Sequence, residues 1–391
     1  MSDGRRTSGG VGRPPERLDV DALLDDPGVR VVVCCGSGGV GKTTTAAALG
    51  LRAAERGRDV VVLTIDPARR LAQSMGLTHL DNTPRPVLGI EGTGGGSLAA
   101  MMLDMKSTFD EVVLAHAEPA RARAILANPF YQSLSSSMAG TQEYMAMEKL
   151  GQLRRAHPYD LIVVDTPPSR SALDFLDAPR RLGSFLDGRV IRLLAAPARV
   201  GGRAYLKVVT AGFGVVANVL TRVLGAQLLK DVQSFIAALD TMFGGFRERA
   251  DETYRLLKAP ETRFLVVAAP EPDALREASY FVERLREEHM PLAGLVLNRV
   301  HRSAAASLSP ERALAAAEDL DAGPEAPGTA LAAALLRLHA ERMHIIEREE
   351  SLTERFTAAH PSTPIAEVGA QRRDVHDMDS LRAVGAEMAK G

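Results

Sequence analysis

Tryptophan is absent from this chain and aromatic residues make up only 4% of it, so there are few rings on which nucleic acid bases could stack. An excess of either charge is missing too. Lys and Arg number 47 against 49 Asp and Glu, for a formal charge of -2, which leaves no basic field to hold nucleic acid. The two cysteines, Cys34 and Cys35, are neighbours in sequence. Adjacent side chains of a strand point to opposite faces, so this pair neither bridges readily nor builds a cysteine metal cluster within one chain. Long apolar runs are lacking as well. Val208 to Thr221, between Lys207 and Arg222, falls short of the ~20 residues a bilayer requires. Met1 to Arg17 is rich in Gly, Ser, Arg and Pro and has no apolar segment of a secretory signal. The expected location is the cytoplasm, with membrane contact at most peripheral and no nucleic acid partner.

What is present is the composition of a globular protein: 391 residues, 46% hydrophobic and 25% charged. Residues 1–17 have almost nothing to bury and read as a disordered tail, so the folded domain is expected over 18–391. Val29–Cys35 and Asp59–Ile65 are continuous, β-branched apolar runs of strand length, as strands buried on both faces require. Lys42–Arg56, rich in Ala and Leu and stopped by Gly57, reads as the helix between them. Strand, helix and strand in that span form a βαβ unit and imply a parallel sheet. Tyr159–Val164, Thr262–Ala269, Leu292–Leu297 and Pro364–Val368 read as further strands. The fold class is therefore α/β, a mostly parallel central sheet flanked by helices. Helical insertions are expected at about 102–155 and 177–258, because connections of that length exceed an ordinary crossover.

The segment from Gly36 to Thr44, Gly-Ser-Gly-Gly-Val-Gly-Lys-Thr-Thr, carries the chemistry. Gly36, Gly41, Lys42 and Thr43 satisfy the spacing of a P-loop. Glycines let successive backbone N–H groups turn toward phosphate oxygens where a Cβ would collide, and the N-terminus of the following helix adds positive potential. On this reading Gly36, Ser37, Gly38, Gly39, Val40, Gly41, Lys42, Thr43 and Thr44 bind the nucleotide ATP. Lys42 reaches the β- and γ-phosphates, and the Thr43 hydroxyl joins the shell of a Mg²⁺ ion. Gly36, Gly38 and Gly41 also fit a dinucleotide turn, with Asp66 as its ribose acid. Lys42-Thr43 argues against that alternative, since a dinucleotide fold has no use for a fixed ammonium and hydroxyl at this point. Asp165, at the end of its strand and followed by Thr166-Pro167-Pro168, is the second candidate acid for Mg²⁺, acting through water. Asp66, in Thr64-Ile-Asp-Pro-Ala68, is the candidate catalytic acid that orients or deprotonates attacking water alongside Lys42; a structural role for it remains the alternative.

With these motifs the chain resembles the arsenite-pump and tail-anchored-protein-targeting ATPases, a branch of the deviant-Walker P-loop NTPases. Their loop, G-K-G-G-x-G-K-[ST], is matched from Gly36 to Thr43 except at Ser37; their switches are matched around Asp66 and Asp165. The resemblance implies that Asn298, closing a late strand in Leu295-Val-Leu-Asn-Arg299, touches adenine. It is closest to an actinobacterial branch in which two related chains pair. The family's early lysine reaches across a dimer interface to the partner's phosphates. Ser37 cannot, which implies a heterodimer with a paralogous subunit that keeps the lysine; the alternative is that Ser37 simply donates its hydroxyl to phosphate. The second switch continues as Ser169-Arg170 where the family has Gly-His, and the family's metalloid- and zinc-binding cysteines are missing. The resemblance thus implies an ATPase coupling nucleotide state to dimer closure and to a client or partner, or alternatively a low-turnover nucleotide-binding subunit that stabilises a catalytic paralogue. Arg180 to Lys207 is basic-edged and runs into the apolar segment Val208–Leu229. That stretch is either a surface for a hydrophobic client or a helical insertion packed on itself with solvated arginines.

Overall fold

The computed structural model describes residues 16–65, 70–90, 92, 94–129, 131–132, 141–156, 159–167, 248–249, 251–324 and 326–390. Along the chain these form α1 (Val20–Asp25), β1 (Val31–Gly36), α2 (Lys42–Glu55), β2 (Asp59–Thr64), α3 (Arg70–Ser74), β3 (Arg85–Pro86), β4 (Ser97–Met102), α4 (Met105–His116) and α5 (Pro119–Leu126). Then follow α6 (Thr141–Ala156), β5 (Leu161–Asp165), β6 (Thr262–Ala268), α7 (Pro272–Glu287), β7 (Leu292–Val300), α8 (Pro310–Ala322), α9 (Thr329–Ala359), β8 (Ile365–Gly369) and α10 (Met378–Lys390). Among the described residues one 8-stranded sheet runs in the order β3-β4-β2-β5-β1-β6-β7-β8. Every pairing is parallel except that of the short β3 with β4.

The central strands are buried along their whole length because helices cover both faces. Val31, Val33 and Cys35 of β1 face one core, with Met147 and Leu150 of α6 and Leu275, Phe281 and Leu285 of α7. Val32 and Cys34 face the other, with Ala46 and Leu49 of α2 and Leu381 and Val384 of α10. Each fully buried Val, Leu or Phe side chain contributes about 1.5–3 kcal/mol relative to exposure. The cysteines therefore belong to opposite layers, and both are free thiols. Burial pushes the Cys35 thiol up to about 12, so neither a nucleophile nor a soft metal ligand is on offer there.

The strands read from the apolar runs all appear, within three residues of their expected ends, the largest difference being the strand expected to close at Leu297, which runs on to Val300. β4 was not expected. Its sequence, Ser-Leu-Ala-Ala-Met-Met, holds no β-branched residue and favours helix, yet pairing along the whole of β2 outweighs that preference. The helical stretch expected from residue 102 accordingly begins at Met105, capped by the Asp104 carboxylate, which accepts from Ser107 N–H at 2.6 Å. Glu16 and Arg17, the last residues of the expected tail, already pair with β8: Ile365 N–H donates to the Glu16 carbonyl at 2.8 Å, and Arg17 bridges Ile365. Residues 177–247 of the expected second insertion, with the basic and apolar segment Arg180–Leu229, lie outside the described residues. Among the described residues no helix is long and apolar enough to cross a membrane.

His360, which closes α9, is 3% exposed and its ring lies 4.8 Å from that of Phe356. Among the described residues neither ring nitrogen has a hydrogen-bond partner. Burial first, then the nearby Arg286 charge, holds its pKa below the ordinary 6.5. The unfolded chain thus binds a proton that the native state refuses, and stability rises with pH from the lowered value up to 6.5. We expect stability to fall as the solution is acidified below 6.5, by at most about 1.4 kcal/mol per pH unit from this one proton. Urea unfolding of His360→Leu against the unaltered chain at pH 7.5 and 5.5 checks it. The variant should lose that part of the slope.

Candidate nucleotide site

The sheet reverses its winding at β1: the chain goes from β1 to β2 on one side and, later, from β5 to β6 across to the other. Such a switch point opens a crevice at the carboxyl ends of the strands. Here it brings together the ends of β1, β2, β5 and β7, which carry the loop after Gly36, Thr64, Asp165 and Asn298.

The loop's shape depends on glycine at three points. A Cβ on Gly36 would lie 2.1 Å from the Val267 carbonyl oxygen of β6, so the loop leaves the strand only because no side chain is there. Gly39 has φ +78 and open space around it, and Gly41, with φ +97, sits at the N-cap of α2. Past Gly41 the helix begins at Lys42, and the N-terminus of a helix is the arrangement an anion needs.

Lys42 is buried, and its Nζ donates to the Ser37 carbonyl at 2.8 Å, so the ammonium folds back over the loop. Thr43 Oγ1 donates to Asp165 Oδ2 at 2.7 Å, and Thr64 Oγ1 donates to the same oxygen at 2.9 Å. Asp165 is wholly buried. Its backbone is held as firmly: the Asp165 carbonyl accepts from Ile65 N–H at 3.0 Å, and the next residue, Thr166, donates through its hydroxyl to the Cys34 carbonyl at 2.9 Å. Since Thr43 gives its one hydroxyl proton to the carboxylate, its oxygen lone pairs are left to face a cation. An ionised carboxylate and a hydroxyl oxygen are the hard donors that Mg²⁺ takes, with water and phosphate completing the shell. The donor set fits that ion. Among the described residues no group of three or more His, Cys, Asp or Glu side chains could hold a metal by itself.

Asn298 is buried at the end of β7, with Nδ2 donating to the Val40 carbonyl at 2.8 Å and Oδ1 accepting from Arg299 N–H at 3.0 Å. Its amide thus buttresses the phosphate loop from below; a Cβ on Gly41 would come within 2.2 Å of it. The sequence reading missed this role, and it missed Thr64, which fixes Asp165. The signal for Thr64 was its place two residues before Asp66 at a strand end. Asp66 and Pro168 lie outside the described residues. Ser37 is buried, and its Oγ has no hydrogen-bond partner among the described residues.

The profile of the family described as Anion-transporting ATPase matches residues 29–313, from the strand before the phosphate loop to beyond Asn298. The chain belongs to the anion-transporting ATPase family. Among its relatives, it is similar to "ATPase GET3" of Malassezia globosa, 30% identical over 157 residues, which is 40% of this chain and 44% of that one. It is also similar to "ATPase get3" of Botryotinia fuckeliana, 25% identical over 282 residues, 72% of this chain and 75% of the relative. "ATPase get3" of Schizosaccharomyces japonicus is 24% identical over 282 residues, 72% and 78% of the two chains. The chain thus spans under half of the first relative and about three quarters of the others.

Proposed function

We propose that this chain binds and hydrolyses ATP, and that its nucleotide state sets the closure of a dimer and the binding of a client or partner. The carrying observation is the contact of Thr43 with Asp165 at 2.7 Å. It sets a cation-facing hydroxyl and a buried carboxylate at the mouth of a loop shaped for phosphate. In this reading the amides from Gly38 to Thr44 hold the phosphate oxygens. Lys42 exchanges the Ser37 carbonyl for a phosphate oxygen, trading a charge–dipole contact for a stronger charge–charge one. Thr43 and, through water, Asp165 hold Mg²⁺, which when bound neutralises charge on the β- and γ-phosphates. Asp66 orients and deprotonates the attacking water; the bond from the γ-phosphorus to the bridging oxygen breaks as the new one forms, and Lys42 stabilises the charge left on ADP. Asn298 contributes to the adenine pocket through the second N–H of its amide, the first being given to Val40.

Ser37 supports a pair of unlike chains. A homodimer of this sequence lacks the lysine that the arsenite-pump and targeting ATPases extend across the interface, so the partner proposed is a paralogous subunit that retains it. The hydrophobic sequence between Arg180 and Leu229 is the proposed client segment. A second reading, a nucleotide-binding subunit with little turnover, is favoured by the buried Ser37 hydroxyl, which puts no cation into an opposing site. Single-turnover hydrolysis by the isolated chain and by the reconstituted pair separates the two. We expect the pair to exceed the sum of its parts by at least tenfold, in the range of a missing phosphate-binding cation. Full turnover by a homodimer of this chain alone overturns the heterodimer, and turnover by the pair that survives Lys42→Ala in this chain leaves the stabilising subunit.

A further inference from the structure

The end of β7 is unusual in three respects. Arg299 is an exposed, non-glycine residue with φ +66, a left-handed conformation that costs about 1–2 kcal/mol. At the same residue the register between β7 and β8 slips, Asn298 pairing with Val368 and Val300 with Gly369. Immediately beyond it the chain is clamped by a buried carboxylate from another element. Glu349 of α9 accepts from His301 N–H at 2.9 Å through one oxygen and meets His301 Nδ1 at 2.6 Å through the other. Arg342, two turns earlier on α9, donates from Nε to the Arg302 carbonyl at 3.0 Å.

These contacts form one chain of attachment from α9 to the phosphate loop. Removing Glu349 would leave the His301 N–H without its carboxylate and the bulge without the clamp that offsets its backbone strain. Were Arg299 to relax toward an extended conformation, the strand would lose its slipped register. The Asn298 amide would then turn from the Val40 carbonyl beside Gly41. We propose that Glu349 is a positioning residue for nucleotide binding: acting through His301 and the strained Arg299, it holds Asn298 against the phosphate loop. It touches no phosphate itself. The inference rests on the ATP-binding reading above and adds to it a route by which the position of α9 sets nucleotide affinity.

Calorimetric titration of the full chain with ADP and Mg²⁺ tests it. Glu349→Ala and Glu349→Asp, the latter keeping the charge but one methylene shorter, are expected to weaken ADP about tenfold, and Asn298→Ala is expected to do the same. Glu349→Gln can accept from the His301 N–H and donate to its ring, so it should stay within about twofold of the unaltered chain. Leu338→Ala, on the exposed part of α9, should do the same. Added to Asn298→Ala, Glu349→Asp should cost nothing further, because both act through one contact. Full additivity of the two changes overturns the proposal, as does unchanged affinity in Glu349→Asp when Asn298→Ala is weakened. An unaltered chain that binds no nucleotide at all overturns the reading of the site instead, and this inference with it.

Discussion

Lys42→Ala is expected to lower ATP turnover about 10²–10³-fold, the usual loss when one fixed donor to developing transition-state charge is removed. The reason lies in where the ammonium starts. Lys42 Nζ is held over the loop by the Ser37 carbonyl, 2.8 Å away, so its approach to phosphate exchanges that acceptor for another and asks little new ordering of the side chain. Alanine keeps helix propensity at the start of α2, so thermal stability should change far less than activity. Turnover measured by phosphate release, beside a melting curve for each protein, checks both halves. A variant that melts like the unaltered chain and hydrolyses ATP at the same rate would show that the lysine has no part in catalysis.

The largest structural effect is expected from Gly36→Ala. The new methyl would lie 2.1 Å from the Val267 carbonyl oxygen, a backbone atom of the paired strand β6, and Gly36 has φ +150. The collision can be relieved only by parting β1 from β6 at the end where the loop begins. Overpacking and backbone strain together suggest a loss of about 3–5 kcal/mol. For a chain of this size that is a drop in Tm of about 4–6 °C. Gly39→Ala is the matched control, since φ +78 carries the conformational cost while nothing lies within 4 Å of the added methyl. It should cost about 1 kcal/mol in stability, with its damage falling on nucleotide binding. Calorimetric melting of the two variants should separate a fold defect from a site defect. Equal melting temperatures would sink the steric argument.

The elements legible in the sequence are those whose residues have a single plausible place. Val31 to Cys35 and Val60 to Leu63 are too uniformly apolar and β-branched to sit anywhere but in a sheet covered on both faces, and they do. The Gly36–Thr44 segment was read for a different reason: the spacing of its glycines, lysine and threonine is the one phosphate geometry calls for, which does not vary with the surrounding fold; its part in binding nucleotide is a proposal. β4 was not legible, because an Ala- and Met-rich strand is chosen by its neighbour β2 rather than by its own preference. Asn298 was singled out for adenine, and its contact with Val40 was not foreseen, because 258 positions of chain separate the two.

By itself, then, the order of residues determined that this protein has a mostly parallel α/β sheet, since short-range periodicity encodes it, and it carries the spacing from which a triphosphate loop is proposed. Only the tertiary structure decided that Thr43 and Thr64 share one oxygen of Asp165, that Asn298 props the loop, and that Glu349 grips the strand beside it. Those relations join segments far apart in the chain. Strand order and helix packing set such distances, and no local pattern records them.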